Sequence, residues 1–220
     1  LARGLAQVED IDLTVVVNVG DDERIHGLHV SPDLDTVVYT LAGVEGPQGW
    51  GRAGDTFITN DELGRLGLDN TFQLGDLDLA MNLARTEALR RGMTLSKFTS
   101  DVTGRMGIVP TVIPATDDHL RTLIENEEGE TISFQEYFVF RQHADTVRAV
   151  TFDGEADPAP GVLESIRRAD VVMIAPSNPP LSIWPILTVR GVREALSQHP
   201  RVVAVSPLFR GRALKGPADR

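Results

Sequence analysis

Four carboxylates stand where a polypeptide tends to place chemistry. Asp21 and Asp22 close the run Val15-Val16-Val17-Asn18-Val19-Gly20, and Asp33 and Asp35 follow in Ser31-Pro32-Asp33-Leu34-Asp35-Thr36. Both pairs fall at the ends of elements rather than on their faces. Hard oxygen donors without a thiolate suit Mg2+, which keeps several waters and bridges carboxylates to phosphates. A plainer account exists for two of them: Asp33 can cap a helix and Asp22 can sit in water. For Asp21 and Asp35 the functional reading is preferred, because a strand-end loop and a helix N-terminus converge in this architecture. The spacing matches no standard metal motif.

Other polar residues divide the same way. Pro176-Ser177-Asn178-Pro179 reads either as turn chemistry or as a loop whose Ser177 and Asn178 hydrogen-bond a nucleotide or phosphate. Asp76 is most simply a helix N-cap, and Asp78 and Arg85 read as surface residues. His26 and His29 straddle Gly27 with no further zinc ligand nearby. His119 and His143 carry no pattern, and Glu125 to Glu130 reads as a solvated hairpin turn. There is no Gly-x-Ser-x-Gly and no Ser/His/Asp order, so a hydrolase is not indicated.

The elements that must position these residues read as α/β. Leu13-Thr14-Val15-Val16-Val17 is a continuous apolar run, as in a strand buried on both faces of a parallel sheet. Ser31 as N-cap and Pro32 at the first position open a helix that Gly43 stops. Residues 44–58 are a Gly-rich loop. Thr59-Asn60-Asp61-Glu62 has a capping-box pattern. Asp76 opens a helix closed by Gly92, and Thr94 caps another ending near Gly107. From Thr111 the period becomes two: Thr111–Ile113, Leu120–Ile124, Thr131–Phe134, Tyr137–Phe140 and Val147–Val150 read as short strands of an α+β insert. The parallel alternation resumes with a helix over 160–168 and the strand Val171–Ala175. A helix broken at Pro185 and Gly191 follows, then the strand Arg201–Val205, ending in Ser206-Pro207. The expected fold is a single Rossmann-like domain over 1–220, three layers around a parallel sheet, with an inserted helical and β-hairpin lobe over 44–150. The chain opens as if inside a helix and ends in a loop, so it reads as cut at both ends.

Composition narrows the function classes. The 220 residues are 41% hydrophobic and include no cysteine, which removes disulfides and thiol chemistry. The net charge of −11 argues against a broad nucleic-acid surface. No apolar run reaches the roughly 20 residues of a membrane span. A cytoplasmic protein is expected.

Taken together the motifs carry a resemblance. Val16-Val17-Asn18-Val19-Gly20-Asp21-Asp22, Ser31 to Tyr39, Gly54-Asp55-Thr56-Phe57, Leu74-Gly75-Asp76, Ala175-Pro176-Ser177-Asn178-Pro179, Val205-Ser206-Pro207 and Lys215-Gly216-Pro217-Ala218-Asp219 occur in this order in the 2-phospho-L-lactate transferase (CofD/FbiA) family of deazaflavin coenzyme biosynthesis. The resemblance implies a Mg2+-dependent transfer from a guanylylated phospholactate or phosphoenolpyruvate to the ribityl hydroxyl of a deazaflavin precursor, with GMP leaving. It implies Asp21 and Asp35 as catalytic and metal-binding residues. The substrate set it implies is Asp35, Thr36, Gly75, Asp76, Arg85, Pro176, Ser177, Asn178 and Ser206. A homodimer is expected. Relatives begin with a strand and a Gly-Gly-Thr-Gly-like turn ahead of the position of Leu1, and continue past Arg220. They usually carry Arg and His where this chain has Leu77 and Asn82; Arg85 is the expected substitute for the Arg. The alternative is a related nucleotide-sugar-binding regulator of carbon metabolism. Pro32-Asp33-Leu34-Asp35-Thr36, in place of a Gly/Ser-rich loop, favours the transferase.

Overall fold

The computed structural model describes residues 1–141, 144–210 and 212–213. His143 and the motif from Lys215 to Asp219 lie outside the described residues. After a one-turn helix α1 (Ala2–Leu5), strand β1 (Thr14–Val17) leads into the turn bearing Asp21 and Asp22. A hairpin follows, β2 (Glu23–Ile25) and β3 (Leu28–Val30). Its two turn residues, His26 (φ 51°) and Gly27 (φ 79°), are both left-handed, as a tight antiparallel connection requires. The sequence pattern assigns no element to this segment.

Helix α2 (Pro32–Ala42) begins at Pro32 and ends at Gly43 in the left-handed conformation, as the sequence predicts. The side chain of Ser31 makes no cap bond; its hydroxyl is used elsewhere. Helices α3 (Ile58–Arg65), α4 (Asp76–Arg90) and α5 (Leu95–Arg105) follow, and the Thr94 side chain caps α5 as expected.

Strand β4 (Thr111–Pro114) corrects the expected insert. It pairs with β1 in parallel, Val15 opposite Val112 and Val16 opposite Ile113. Alternation along this ladder makes three layers. Val15, Val17 and Val112 pack with Leu34, Val38 and Leu95 on the side of α2 and α5. On the opposite face, Val16 and Ile113 join a cluster built around Val162, Ile166, Val189 and Val192. That cluster comes from α6 (Val162–Arg168) and from the region of α7 (Trp184–Thr188) and α8 (Val192–Gln198).

The second parallel pair is β8 (Val172–Ile174) with β9 (Val202–Ala204). It meets the first through side-chain packing of Val172 in the same cluster, with no backbone ladder between the pairs among the described residues. The last described elements are a short antiparallel pair, β10 (Leu208–Phe209) and β11 (Arg212–Ala213).

The lobe proper is a three-stranded antiparallel sheet of β6 (Thr131–Ser133), β5 (Arg121–Asn126) and β7 (Val147–Asp153), in that order. The hairpin at Asn126–Gly129 is where the sequence placed it. Tyr137–Phe140, expected as a strand, is instead part of a wide π-helical turn, Glu136–Phe140. Two local interactions favour helical spacing there. The Ser133 hydroxyl accepts the Glu136 N–H at 3.1 Å. Phe134 stacks on Phe138 with ring centroids 5.5 Å apart, an i,i+4 pair that only a helical turn brings together. No described helix is long and apolar enough to cross a membrane.

Candidate active site

The turn after β1 is held by its own asparagine. Asn18 Oδ1 accepts the Gly20 N–H at 2.8 Å, closing a local side-chain turn. This leaves the amide of Asn18 free to donate twice, to Asp21 Oδ1 at 3.2 Å and to Asp33 Oδ2 at 2.9 Å. One amide therefore holds an oxygen of each carboxylate. Gly20 must be glycine: a Cβ there would lie 2.7 Å from Thr122 Oγ1 and 2.8 Å from Pro185 Cβ. The segment after the Ser177–Asn178 loop thus packs directly on the carboxylate turn.

Asp22 completes the group. Its Oδ2 lies 2.7 Å from His29 Nε2 and accepts the Ser31 hydroxyl at 2.8 Å. Its Oδ1 is buried without a protein partner. Burial is the main cause that raises Asp21 well above the ordinary carboxylate range, and the charges of Asp33 and Asp22 add to it. Burial also raises Asp33, against the hydrogen bond donated by Asn18. Buried carboxylates that crowd one another either keep a proton or require a cation.

The residues fit Mg2+ by this test: oxygen donors only, under-compensated charge, and a spare buried carboxylate oxygen. Among the described residues no three His, Asp or Glu side chains converge as a complete ligand set. An ion here would rest on Asp21 and Asp33 and take its remaining positions from water and ligand oxygens.

Asp35 has a charged partner of its own. Its carboxylate forms an ion pair with Arg85 of α4, and Asp21 and Asp35 share no hydrogen-bond partner among the described residues. Arg85 is 1% exposed, not a surface residue. It also donates to the His29 carbonyl at 3.1 Å and to Asn82 Oδ1 at 2.7 Å, and lies over the Phe98 ring. Its guanidinium is committed to locking α4 onto α2, which leaves it poorly placed to stand in for a substrate-facing arginine. Leu77, at the position where the resemblance expects an arginine, is 40% exposed. Burial pushes Asp35 up to about 6 despite Arg85.

Asp76 also differs from its expected role. Gly75 is the N-cap of α4, and Asp76 is the first helical residue. Its Oδ1 accepts the Thr59 N–H at 3.0 Å and its Oδ2 the Ile58 N–H at 3.1 Å, so it caps α3, the helix for which the sequence suggested a capping box at Thr59. Asp55 in turn accepts the Leu77 and Asp78 N–H groups at 2.8 and 3.2 Å. The two helices cap each other, which accounts for both the Gly54-Asp55-Thr56 and Gly75-Asp76 motifs. Hydrogen bonds from Thr56 and Thr59 hold Asp76 down to about 2. A Cβ on Gly75 would collide with Asp55 Oδ2 at 2.2 Å.

Thr36 is half-buried in the first turns of α2. Pro176 and Ser177 form the loop after β8, and Asn178 precedes a π-helical turn over Pro179–Ile183. Asn178 Oδ1 is buried with no protein partner. Ser206 is exposed and accepts the Leu208 N–H, shaping a turn.

Two cavities flank the β2–β3 hairpin. One of about 430 Å3 lies between the hairpin and residues 117–121 and includes Asp22 and His29 in its wall. The other, about 350 Å3, lies between the hairpin and the lobe and includes Arg24, Phe72, Gln135 and Phe140. Asn18, His29 and Gln135 were given no role from the sequence. Only for Asn18 was there a local signal, a side-chain turn residue three positions ahead of a carboxylate.

Comparison with known proteins gives the family of the chain. The family 2-phospho-L-lactate transferase CofD matches residues 1–219. A 2-phospho-L-lactate transferase of Methanopyrus kandleri is 42% identical over 224 residues, covering 100% of this chain and 71% of the relative. A phosphoenolpyruvate transferase of Streptomyces coelicolor is 43% identical over 227 residues, covering 99% of this chain and 71% of the relative. Among solved structures, a UPF0052-family protein of Bacillus halodurans superposes with a TM-score of 0.65 at 22% identity, over 91% of this chain and 62% of that one. That likeness concerns the fold, and this chain spans less than two thirds of that structure. With a whole-chain family match and relatives above 40% identity, the chain belongs to the 2-phospho-L-lactate transferase CofD family.

Proposed function

We propose that the protein moves a phospholactyl or phosphoenolpyruvyl group from a guanylyl-diphosphate-activated donor to the ribityl hydroxyl of a deazaflavin precursor, releasing GMP. The observation that carries the reading is the Asn18–Asp21–Asp33 cluster at the carboxyl end of β1, with Asn18 and Asp21 buried and Asp33 half-buried, in a chain of this family. The carboxyl edge of a parallel sheet is where such folds bind ligands.

Each residue then has a role. Asp21 and Asp33 hold Mg2+, and Asn18 fixes their oxygens. When bound, the ion supplies positive charge against the diphosphate of the donor. The unpartnered Oδ1 of Asp22 takes the hydroxyl proton as the acceptor oxygen bonds to phosphorus and the bond to the GMP phosphate breaks. Ser177, Asn178 and Pro176, with Thr36, Gly75 and Ser206, orient the donor and acceptor. Asp35 and Asp76 act indirectly: one anchors Arg85, the other caps α3. Most of the rate in such a transfer comes from positioning and charge stabilisation, so no covalent nucleophile is required.

The test is reconstitution with the deazaflavin precursor, the guanylylated donor and Mg2+, following product mass and GMP release. The reading predicts one GMP per product and loss of both when Mg2+ is chelated. Turnover unaffected by chelation would contradict the metal assignment. Absence of product with both donors, in a sample that binds a nucleotide sugar, would favour a regulatory protein instead.

A further inference from the structure

Three ties from the inserted lobe converge on the carboxylate turn. The Thr122 N–H donates to the Gly20 carbonyl at 2.7 Å. Arg121 forms an ion pair with Glu23. Between them, the side-chain amide of Gln135 donates to the main-chain carbonyl of Asp21 at 2.9 Å, across 114 residues of sequence. Gln135 is 4% exposed, so this bond is not in competition with bulk water. The residue is well anchored. It directly precedes the π-helical turn, and Arg141 at the far end of that turn binds Glu136, Glu130 and Asp145 together. Such turns are rare and recur at functional positions.

Gln135 also has a second face. It lines the 350 Å3 cavity between lobe and hairpin. The same side chain is thus wall to that cavity and support to the main chain of Asp21. By contrast, the parallel sheet meets the turn at one end only, where β1 runs into it.

We propose that Gln135 is a positioning residue for the carboxylate turn, so that the inserted lobe sets the affinity of the site for a divalent cation. The inference rests on the metal-binding reading of Asp21 and Asp33 given above. The physical reason is that a ligand carboxylate is only as well placed as the backbone carrying it. The carbonyl of Asp21 is the nearest backbone handle, and Gln135 is the side chain that grips it. Removing a partner of this kind from a metal site typically lowers affinity about 10- to 100-fold.

The test compares two variants of the full chain. Gln135→Met keeps the length and loses the donor. Ile132→Val loosens the lobe core next to it without touching the bond; Ile132 is buried with Ile124 and Tyr137. Both are read for thermal stability and for Mn2+ binding, by calorimetry or water-proton relaxation, with Mn2+ as the probe. The expected result is Mn2+ binding weakened about tenfold or more in Gln135→Met. Ile132→Val should bind within about twofold of wild type, although both variants lose a few degrees in Tm. Wild-type Mn2+ affinity in Gln135→Met overturns the inference and leaves the metal reading standing. Equal losses in both variants also overturn it, since general loosening of the lobe then explains the effect. If the unmodified protein binds no Mn2+, the metal reading itself fails and the inference goes with it.

Discussion

Replacing Arg85 by Met keeps most of the stem and removes the charge. Arg85 is 1% exposed, and its guanidinium serves Asp35, the His29 carbonyl and Asn82. Removing one partner of a buried ion pair costs about 3–5 kcal/mol, because the other charge stays buried. At roughly 2–4 °C per kcal/mol for a chain of this size, Tm at neutral pH should fall by about 10 °C. The pH dependence is the sharper part. Burial outweighs Arg85 and holds Asp35 up from 3.8 to about 6 in the folded protein. A raised folded-state value means that the folded chain binds the extra proton. Stability from this group is therefore present at low pH and lost as pH rises to about 6. Without Arg85 the value goes higher still, and the variant keeps losing stability where wild type has levelled off. The deficit of Arg85→Met should be nearly flat between about pH 4 and about pH 6, then grow by about 1.4 kcal/mol per pH unit. Urea unfolding followed by tryptophan fluorescence, at several pH values from about 5 to about 8, measures it. In the Asp35→Asn background the growth should vanish. A deficit independent of pH, or one below about 1 kcal/mol, would refute Arg85 as the counter-ion of Asp35.

Four further outcomes follow from the same geometry. Asp21→Asn or Asp33→Asn should abolish Mn2+ binding and lower turnover by at least about 100-fold, whereas Asp35→Asn should chiefly lower Tm; a reversed ranking would return Asp35 to the metal site. Because Asp21 and Asp33 are both raised, a bound cation must displace protons, so Mn2+ affinity should rise with pH and binding should release protons. Calorimetry in buffers of different ionisation enthalpy checks the sign, and a pH-independent constant would contradict it. Gly20→Ala should cost about 2–4 kcal/mol in urea unfolding, since its Cβ would press on Thr122 and Pro185. Asp55→Ala should cost about 1 kcal/mol through loss of the α4 cap, read as a small drop in Tm with Mn2+ binding unchanged.

Local chemistry is legible in the sequence wherever nearest neighbours dictate it. The apolar run before Asn18 had to be a buried strand, Pro32 and Gly43 had to bound a helix, and Asn126 to Gly129 had to turn. Each rests on backbone or hydrophobic constraints within a few residues. The same holds for the position of Asp21 at a strand's carboxyl end. The β2–β3 hairpin escaped because its turn uses His26 in a left-handed conformation, which pattern alone does not suggest. Tyr137–Phe140 escaped because the Phe134–Phe138 stack and the Ser133 cap outweigh β-propensity there.

Pairing across the chain was decided only by tertiary structure. The sequence offers Asp35 and Asp21 the same role, yet one faces a buried guanidinium 50 residues away and the other shares an amide with Asp33. Asp76 looks like the cap of the helix it opens, yet it caps α3, and Asp55, ahead of α3, caps α4. Strand β4 reads as part of an insert until its ladder with β1 is seen. The sequence alone determined that carboxylates stand at element ends and where most helices and strands lie, because those depend on short-range sterics and periodicity. Which carboxylates end up together, and which is neutralised, depends on distances set by packing between elements far apart in the chain. Charge is felt through space, not along the backbone.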